Sequence, residues 1–336
     1  MYVLHLSRTA LAGVACRYAQ FFKKYGIQAR SASAITTSIE FPRDIKVPFH
    51  FHPDFPNVAN RAIMDESEEL REEIKKADIV HVHNYPPLNM NSPTWNLIAQ
   101  KPVILQLHSP PNISEYAYNR VNRKVTIAKL LVIAQYQAIQ LRSIYPDIIP
   151  MRNIIDIDDK LLLPVIKKNN PPIITYAPSN IKTNKKQLGW AYKSVEEVLP
   201  LLKQMHNSKL CEFKYIHRVP FIKSLSMRQS ANIHIDEISS GSYHLSSLEG
   251  LSQGAAVIAN IADWMSDLLK KITGCTTIPW IIANENNIKT IIKNLLSDKG
   301  NLLKRQQKSR DWMEKYWNPE LILNDYLNIY REILDA

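Results

Sequence analysis

The chain has 336 residues, 45% of them hydrophobic and 22% charged, with a formal net charge of +11. That is the balance of a soluble globular protein, and the length exceeds one small core and suits two α/β domains. No apolar run is long enough to cross a bilayer, and the three scattered cysteines, Cys16, Cys211 and Cys275, have no metal spacing and argue against a disulfide framework. The N-terminal residues run straight into a strand with no signal peptide, so a cytoplasmic protein is expected. The positive charge points to an anionic partner: a phospholipid surface (peripheral, at the inner face of a membrane), a nucleotide, a polyanionic glycan or nucleic acid. Plain solubility charge is the alternative.

In chain order, residues 1–7 read as a first strand and 8–12 as a loop. Gly13 then opens an amphipathic helix closed by Gly26. Strand, loop with one glycine, helix is a phosphate-approach geometry; without G-x-G-x-x-G, a plain helix start is the equal alternative. Residues 27–35 and 46–51 are strand candidates, and Pro48, Pro53 and Pro56 make the segment from 41 to 60 irregular. Residues 66–76 form a charged helix and 78–84 an alternating strand. His81 and His83 share a face of that strand, but Asn84-Tyr85-Pro86-Pro87 breaks a metal-site pattern. They read as strand-end packing or acceptor-side residues, not ligands. Residues 101–108 form a buried-type strand ending at His108, where open α/β sheets have their ligand crevice; a structural histidine is the alternative. Residues 116–129, with Tyr116, Tyr118, Arg120, Arg123 and Lys124, are either a surface for a membrane or anionic acceptor or a solvated helix face.

KKNNPP at 167–172 reads as the interdomain linker, and residues 173–177 open a second sheet. The following loop carries Asn180, Lys182, Lys185 and Lys186. Lysine is a compact point charge suited to phosphate, with a solvated loop as the alternative. Residues 211–217 form a strand followed by Arg218-Val219-Pro220. Helices are expected at 263–272, 285–296, 301–316 and 320–334.

Residues 232–260 are the organising stretch: strand, polar loop, helix, Gly254, buried strand, the grammar of an α/β crossover. Of only 8 glycines in the chain, Gly241, Gly250 and Gly254 fall here, for turns or close backbone approach. Glu249 sits about one turn into the helix, and its side chain leans back toward the N-terminus. There the backbone N–H groups of Tyr243, His244, Leu245 and Ser246 would offer donors and a dipole to an anion. A carboxylate for hydroxyls beside donors for a diphosphate suits a sugar nucleotide. A surface glutamate on an amphipathic helix is the alternative.

Residues 241–258, GSYHLSSLEGLSQGAAVI, resemble the donor-site signature of retaining GT-B glycosyltransferases of the family-4 type, E-x-F-G-x-x-x-x-E-A-x-A-x-G-x-P-V-I. Two positions depart from it: Gly241 replaces the first glutamate, which in the family commonly contacts the transferred sugar, and His244 replaces the glycine of the F-G pair. The segment from Pro150 to Asp156 also resembles the P-N-G-I-D that ends the family's first domain, with Met151-Arg152 inserted and Ile154 in place of the glycine. The resemblance spans nearly the whole chain and is strongest over 173–334.

The resemblance implies a GT-B α/β fold, two Rossmann-like parallel-sheet domains facing a cleft. Residues 1–165 would be the acceptor domain, 166–318 the donor domain, and 319–336 a helix returning to the first. It implies that Glu249 binds the donor ribose and that Leu245 and Ser246 N–H, beside Tyr243, bind its diphosphate. Gly13 would lie near donor and acceptor, and His108 beside the transferred sugar. Lys182 and Lys186, with Lys185 as rival and Asn180 nearby, would hold the leaving diphosphate, and the backbone at Arg218, Val219 and Pro220 would bracket the base. The implied reaction moves a sugar from a nucleotide diphosphate sugar to a hydroxyl of a glycan or lipid-linked glycan with retained configuration. Neither a metal nor a cofactor is expected to be required. A modified DNA base as acceptor is one alternative. A non-catalytic nucleotide-sugar binder is another, favoured by Gly241 and opposed by Glu249, the lysine loop and His108.

Overall fold

A computed structural model describes residues 1–9, 13–35, 41–54, 62–165, 169–178 and 194–336. The chain divides into two units, Met1–Ile154 with Ile322–Ala336, and Ile155–Leu321.

The first unit contains β1 (Tyr2–Thr9), α1 (Val14–Lys24), β2 (Gln28–Ile35), β3 (Ile45–Lys46), β4 (Phe49–His50), β5 (Ile63–Met64), α2 (Glu68–Lys76), β6 (Ile79–His83), α3 (Trp95–Ile98), β7 (Val103–Leu107), α4 (Pro111–Asn122), β8 (Ile127–Ile133), α5 (Tyr136–Arg142) and β9 (Ile149–Met151). Seven strands form a parallel sheet in the order β3-β2-β1-β6-β7-β8-β9. β6 and β7 are buried at every residue, as strands covered on both faces must be. The order reverses at β1, which pairs with β2 on one side and β6 on the other, and this switch point is where open α/β sheets leave a ligand crevice.

The expected strand at 46–51 is in fact two short ones. β3 joins the large sheet, and β4 pairs antiparallel with β5. Pro48 between them has no N–H to continue the ladder, so the chain changes partner there. β8 likewise starts at Ile127, inside the stretch expected to be a surface segment. α4 buries Ser114, Ala117 and Val121 and leaves Ile113 and Tyr116 exposed.

The second unit contains β10 (Ile173–Tyr176), α6 (Val195–Asn207), β11 (Glu212–Tyr215), α7 (Phe221–Gln229), β12 (Ile233–Ile235), α8 (Leu245–Ser252), β13 (Ala256–Ala259), α9 (Asp263–Thr273), β14 (Ile281–Ile282), α10 (Ile288–Ser297) and α11 (Lys299–Tyr316). Its parallel sheet runs β11-β10-β12-β13-β14. Ile174, Tyr176, Ile233, Ile235 and Ile258 pack there with Val198 and Leu202 of α6 and Ile292 of α10. A second, aromatic cluster joins Tyr243, Trp280, Trp312 and Trp317, with ring centroids 5.4–6.3 Å apart.

The last helix, α12 (Pro319–Leu334), carries the chain from the second unit into the first, which includes Ile322–Ala336. Within the first unit, Tyr326 accepts a hydrogen bond from Gln106 Nε2 at 3.0 Å and donates to the Arg152 carbonyl at 3.1 Å, while Asp325 pairs with Arg152.

Candidate functional site

In each parallel sheet the loops after the strands gather along one edge, and the residues singled out from sequence fall on these edges. In the second unit, β10 is followed by Pro178, whose carbonyl hydrogen-bonds His217 Nδ1 after β11 at 3.1 Å. Arg218 and Pro220 come next and are exposed, with Val219 half-buried between them; Arg218 has the left-handed φ of 51°. Pro220 caps α7, and its carbonyl accepts from Ser224 N–H at 2.9 Å. Asn180, Lys182, Lys185 and Lys186 lie outside the described residues, as does Lys167 of the linker.

The loop between β12 and α8 is the most constrained part of this edge. Tyr243 is fully buried against Trp280 and Trp317, and Trp280 Nε1 donates to Ser247 Oγ on the first turn of α8. The helix N-terminus is therefore fixed by packing from below. Asp236, at the end of β12, accepts from His244 N–H at 2.7 Å and from Ser246 Oγ at 2.8 Å. Four backbone donors aimed at an anion were expected here, but the His244 N–H already has a carboxylate. Leu245 and Ser246, in the first helical turn, have no carbonyl four residues back within the helix, so their N–H groups point out of its end. Asp236 also sets a negative charge against the positive end of the dipole.

Glu237 is next to it and fully buried. Its Oε2 accepts from Ser239 N–H at 2.8 Å and Ser240 N–H at 2.6 Å, while Oε1 is buried with no partner. Burial, and secondly the charge of Asp236, push its pKa up to about 7, against the pull of the Ser239 and Ser240 hydrogen bonds. Gly241 has φ of +78°, and a Cβ there would lie 3.0 Å from the Trp264 ring and 3.2 Å from Ala262 Cβ. An acidic side chain at this position, as in the resembled signature, would be strained by this backbone and crowded by Trp264.

Glu249 is buried rather than on the surface, and it is not a lone carboxylate at the loop mouth. Arg228 of α7 donates from Nη2 to its Oε2, and the two side chains are 3% and 4% exposed. Arg228 also reaches the Ser246 carbonyl at 3.3 Å through Nη1. Sequence reading missed Arg228, for it lies 21 residues from Glu249 on a helix whose own pattern carries no sign of the pairing.

In the first unit the corresponding edge holds Gly13, His83, Asn84 and His108. Gly13 caps α1 in a left-handed conformation, φ +68°, and a Cβ there would overlap the Phe41 ring at 2.3 Å. His108 follows β7 and is half-buried. Its N–H donates to Asn84 Oδ1 at 2.9 Å, and its Nε2 lies 3.0 Å from His83 Nδ1. Burial lowers its pKa to about 3, so the ring is neutral near neutral pH.

His83 belongs to a larger cluster. The parallel register sets His5 of β1 opposite His81 of β6, and His83 opposite Gln106 of β7. All four side chains are fully or almost fully buried. His5 Nδ1 is hydrogen-bonded to His83 Nε2 at 3.1 Å, and His81 Nδ1 to Tyr330 OH at 2.8 Å. Tyr18 of α1 stands edge-on to His83, and Tyr326 of α12 takes the Tyr18 hydroxyl at 2.9 Å. The ligand atoms of His5, His81 and His83 lie within 4.8 Å of one another, the arrangement among the described residues that could hold a metal ion. No carboxylate belongs to that cluster, so a dication there would be an uncompensated buried charge. Hydrogen bonds already occupy both nitrogens of His83 and one each of His5 and His81.

Two parallel-sheet units with chemistry-bearing loops at the strand ends define a fold that recurs among solved structures. HepE from Anabaena, in complex with UDP-glucose, matches with a TM-score of 0.61 and 13% identity, over 99% of this chain and 100% of that one. An alpha-glucosyltransferase in complex with UDP matches with a TM-score of 0.59 and 12% identity, over 98% of each chain. An alpha-glucosyltransferase in complex with UDP and a mismatched 13-mer DNA matches with a TM-score of 0.57 and 12% identity, again over 98% of each. This chain has a GT-B fold. No protein-family model matches it, and no curated protein matches it by sequence. At these identities the likeness establishes fold, and chemistry must come from the residues. None of the described helices is long and apolar enough to cross a membrane.

Proposed function

We propose that this protein is a glycosyltransferase that moves a sugar from a nucleotide diphosphate sugar to a hydroxyl acceptor. The observation that carries the reading is the loop before α8: N–H groups at a packed helix end, with the buried carboxylate of Glu249 one turn on, in a GT-B chain. A diphosphate would take the N–H groups of Leu245 and Ser246, and a ribose hydroxyl would take Glu249. Uracil is the base favoured by the nucleotides held in the similar structures. The backbone from Arg218 to Pro220 is assigned to it, at the adjoining strand end.

The helix end alone is weak for a diphosphate, because Asp236 offsets its dipole. The reading therefore places Lys182 and Lys186, with Lys185 and Asn180 beside them, on the leaving group. Catalysis is then positioning plus stabilisation of charge that grows as the glycosidic bond breaks. Retention of configuration follows if the departing phosphate takes the acceptor proton on the same face. Activity should persist in a chelator, since lysines rather than a divalent ion meet the diphosphate. Three buried, unpaired cysteines suit a reducing cytoplasm.

The deciding experiment is calorimetry and transfer assays with a panel of UDP-, GDP- and ADP-sugars. Failure of every one to bind the folded protein would sink the reading. A second acceptor class, duplex DNA, is favoured by the net charge of +11 and by the DNA held in one similar structure. A salt-dependent mobility shift of duplex DNA would support it over a glycan or lipid-linked acceptor.

A further inference from the structure

Within the first unit, three imidazoles form an unbranched hydrogen-bonded line from the core to the strand-end edge. His5 Nδ1 meets His83 Nε2 at 3.1 Å, and His83 Nδ1 meets His108 Nε2 at 3.0 Å. Both His5 and His83 are buried, and the Phe22 ring stacks on His5 at 5.5 Å. At the inner end, His5 Nε2 is buried with no partner. At the outer end, His108 is half-buried, and its Nδ1 is not among the buried unpartnered atoms.

A neutral imidazole has one N–H and one lone pair. Each link needs one proton between two nitrogens, so the line has only two states. In one, N–H groups point inward from His108 to His83 to His5. That leaves His5 with an N–H at Nε2, buried with nothing to accept it. In the other, N–H groups point outward, and the buried orphan is a lone pair. An orphaned buried N–H is the rarer and costlier defect. The outward state also puts the free N–H where a ligand or water can meet it.

We infer that His5 and His83 act as positioning residues that lock His108 as its Nδ1–H tautomer, so that His108 presents a hydrogen-bond donor, and not a base, at the edge of the first sheet. The group it would serve is an oxygen lone pair, such as a sugar hydroxyl. That consequence rests on the proposed function; the tautomer itself does not. The lock also explains why a strand edge built for a ligand should carry histidines behind it. A lone imidazole at this place would sample both tautomers and present a donor for only part of the time.

The test is long-range proton–nitrogen NMR of the full chain labelled with 15N-histidine at pH 7, with His108→Gln to assign the His108 signals. The expected spectrum shows His108 Nδ1 protonated and Nε2 unprotonated, with His5 Nε2 also unprotonated. A protonated His108 Nε2 would overturn the inference. His83→Phe removes the link and should release His108 into tautomer exchange, while His83→Asn, whose amide can stand near the position of Nδ1, should restore the Nδ1–H form. An unaltered tautomer in His83→Phe would overturn the role of His83. Should neither variant fold, the wild-type spectrum decides. UDP-glucose titrated into the same sample separates the two levels. His108 signals that stay still, with the tautomer as expected, would remove His108 from the ligand site and leave the lock standing.

Discussion

Arg228 on α7 and Glu249 on α8 form an ion pair whose side chains are almost fully buried. The pair ties α7 to α8, so under the proposed function Glu249 has two roles: it neutralises Arg228 and would face a ribose hydroxyl. Glu249→Ala should therefore fail twice. Leaving Arg228 buried without its partner costs about 3–5 kcal/mol of stability, read as a lower urea midpoint. Loss of a charged hydrogen bond costs about 1.5–3 kcal/mol of nucleotide-sugar affinity, read by calorimetry. The paired change Arg228→Met with Glu249→Leu should recover much of the stability and none of the binding. Unchanged affinity in folded Glu249→Ala would take Glu249 out of the site.

Gly241 meets Trp264, and this decides what can stand at the first position of the resembled signature. Gly241→Glu should lower stability by at least about 1–2 kcal/mol, from the left-handed backbone alone, and should not raise turnover. A variant with wild-type thermal stability and faster transfer would show that the loop readily accepts an acidic side chain.

The buried histidines make stability depend on pH. His5 and His108 are lowered to about 3, and His81 and His83 well below their ordinary value, all chiefly by burial. The unfolded chain binds protons at these rings below about pH 6.5 while the folded chain does not. Stability is thus fully present above pH 6.5 and falls as pH drops toward 3, by up to about 1.4 kcal/mol per pH unit for each ring. Glu237 has the opposite sign: raised to about 7, it favours the folded state below its ordinary 4.5 and loses that advantage as pH rises through 7. Between 4.5 and 6.5 four rings oppose one carboxyl, so acidification from pH 7 to 5 should destabilise the protein in urea titrations. Glu237→Gln should leave the net fall steeper. A flat profile over that range would contradict the burial of the cluster.

The lysine loop is assigned from sequence. Lys182→Ala and Lys186→Ala should each slow transfer more than they weaken donor binding, because charge on the diphosphate grows in the transition state. Wild-type kcat in both variants would move the leaving-group role elsewhere, with Lys185→Ala as the next to assay.

By itself the sequence determined the α/β class and the strand–loop–helix–Gly–strand unit around Glu249. Those features rest on short-range causes: alternation of Ile233 and Ile235, helical spacing of Leu245, Leu248 and Leu251, and Gly254 to end the helix. It also placed His108 at a strand end, which the structure bears out. Only the tertiary structure decided who faces these residues. His5 joins His81 and His83 because β1 and β6 pair in parallel at one register, across 76 residues of chain. A shift of one residue would send every one of those side chains to the opposite face. Arg228 meets Glu249, and Asp236 takes the His244 N–H, because two helices and a strand end converge in space. Local periodicity carries no record of such convergence, since pairing energy depends on distance in the fold and not along the chain.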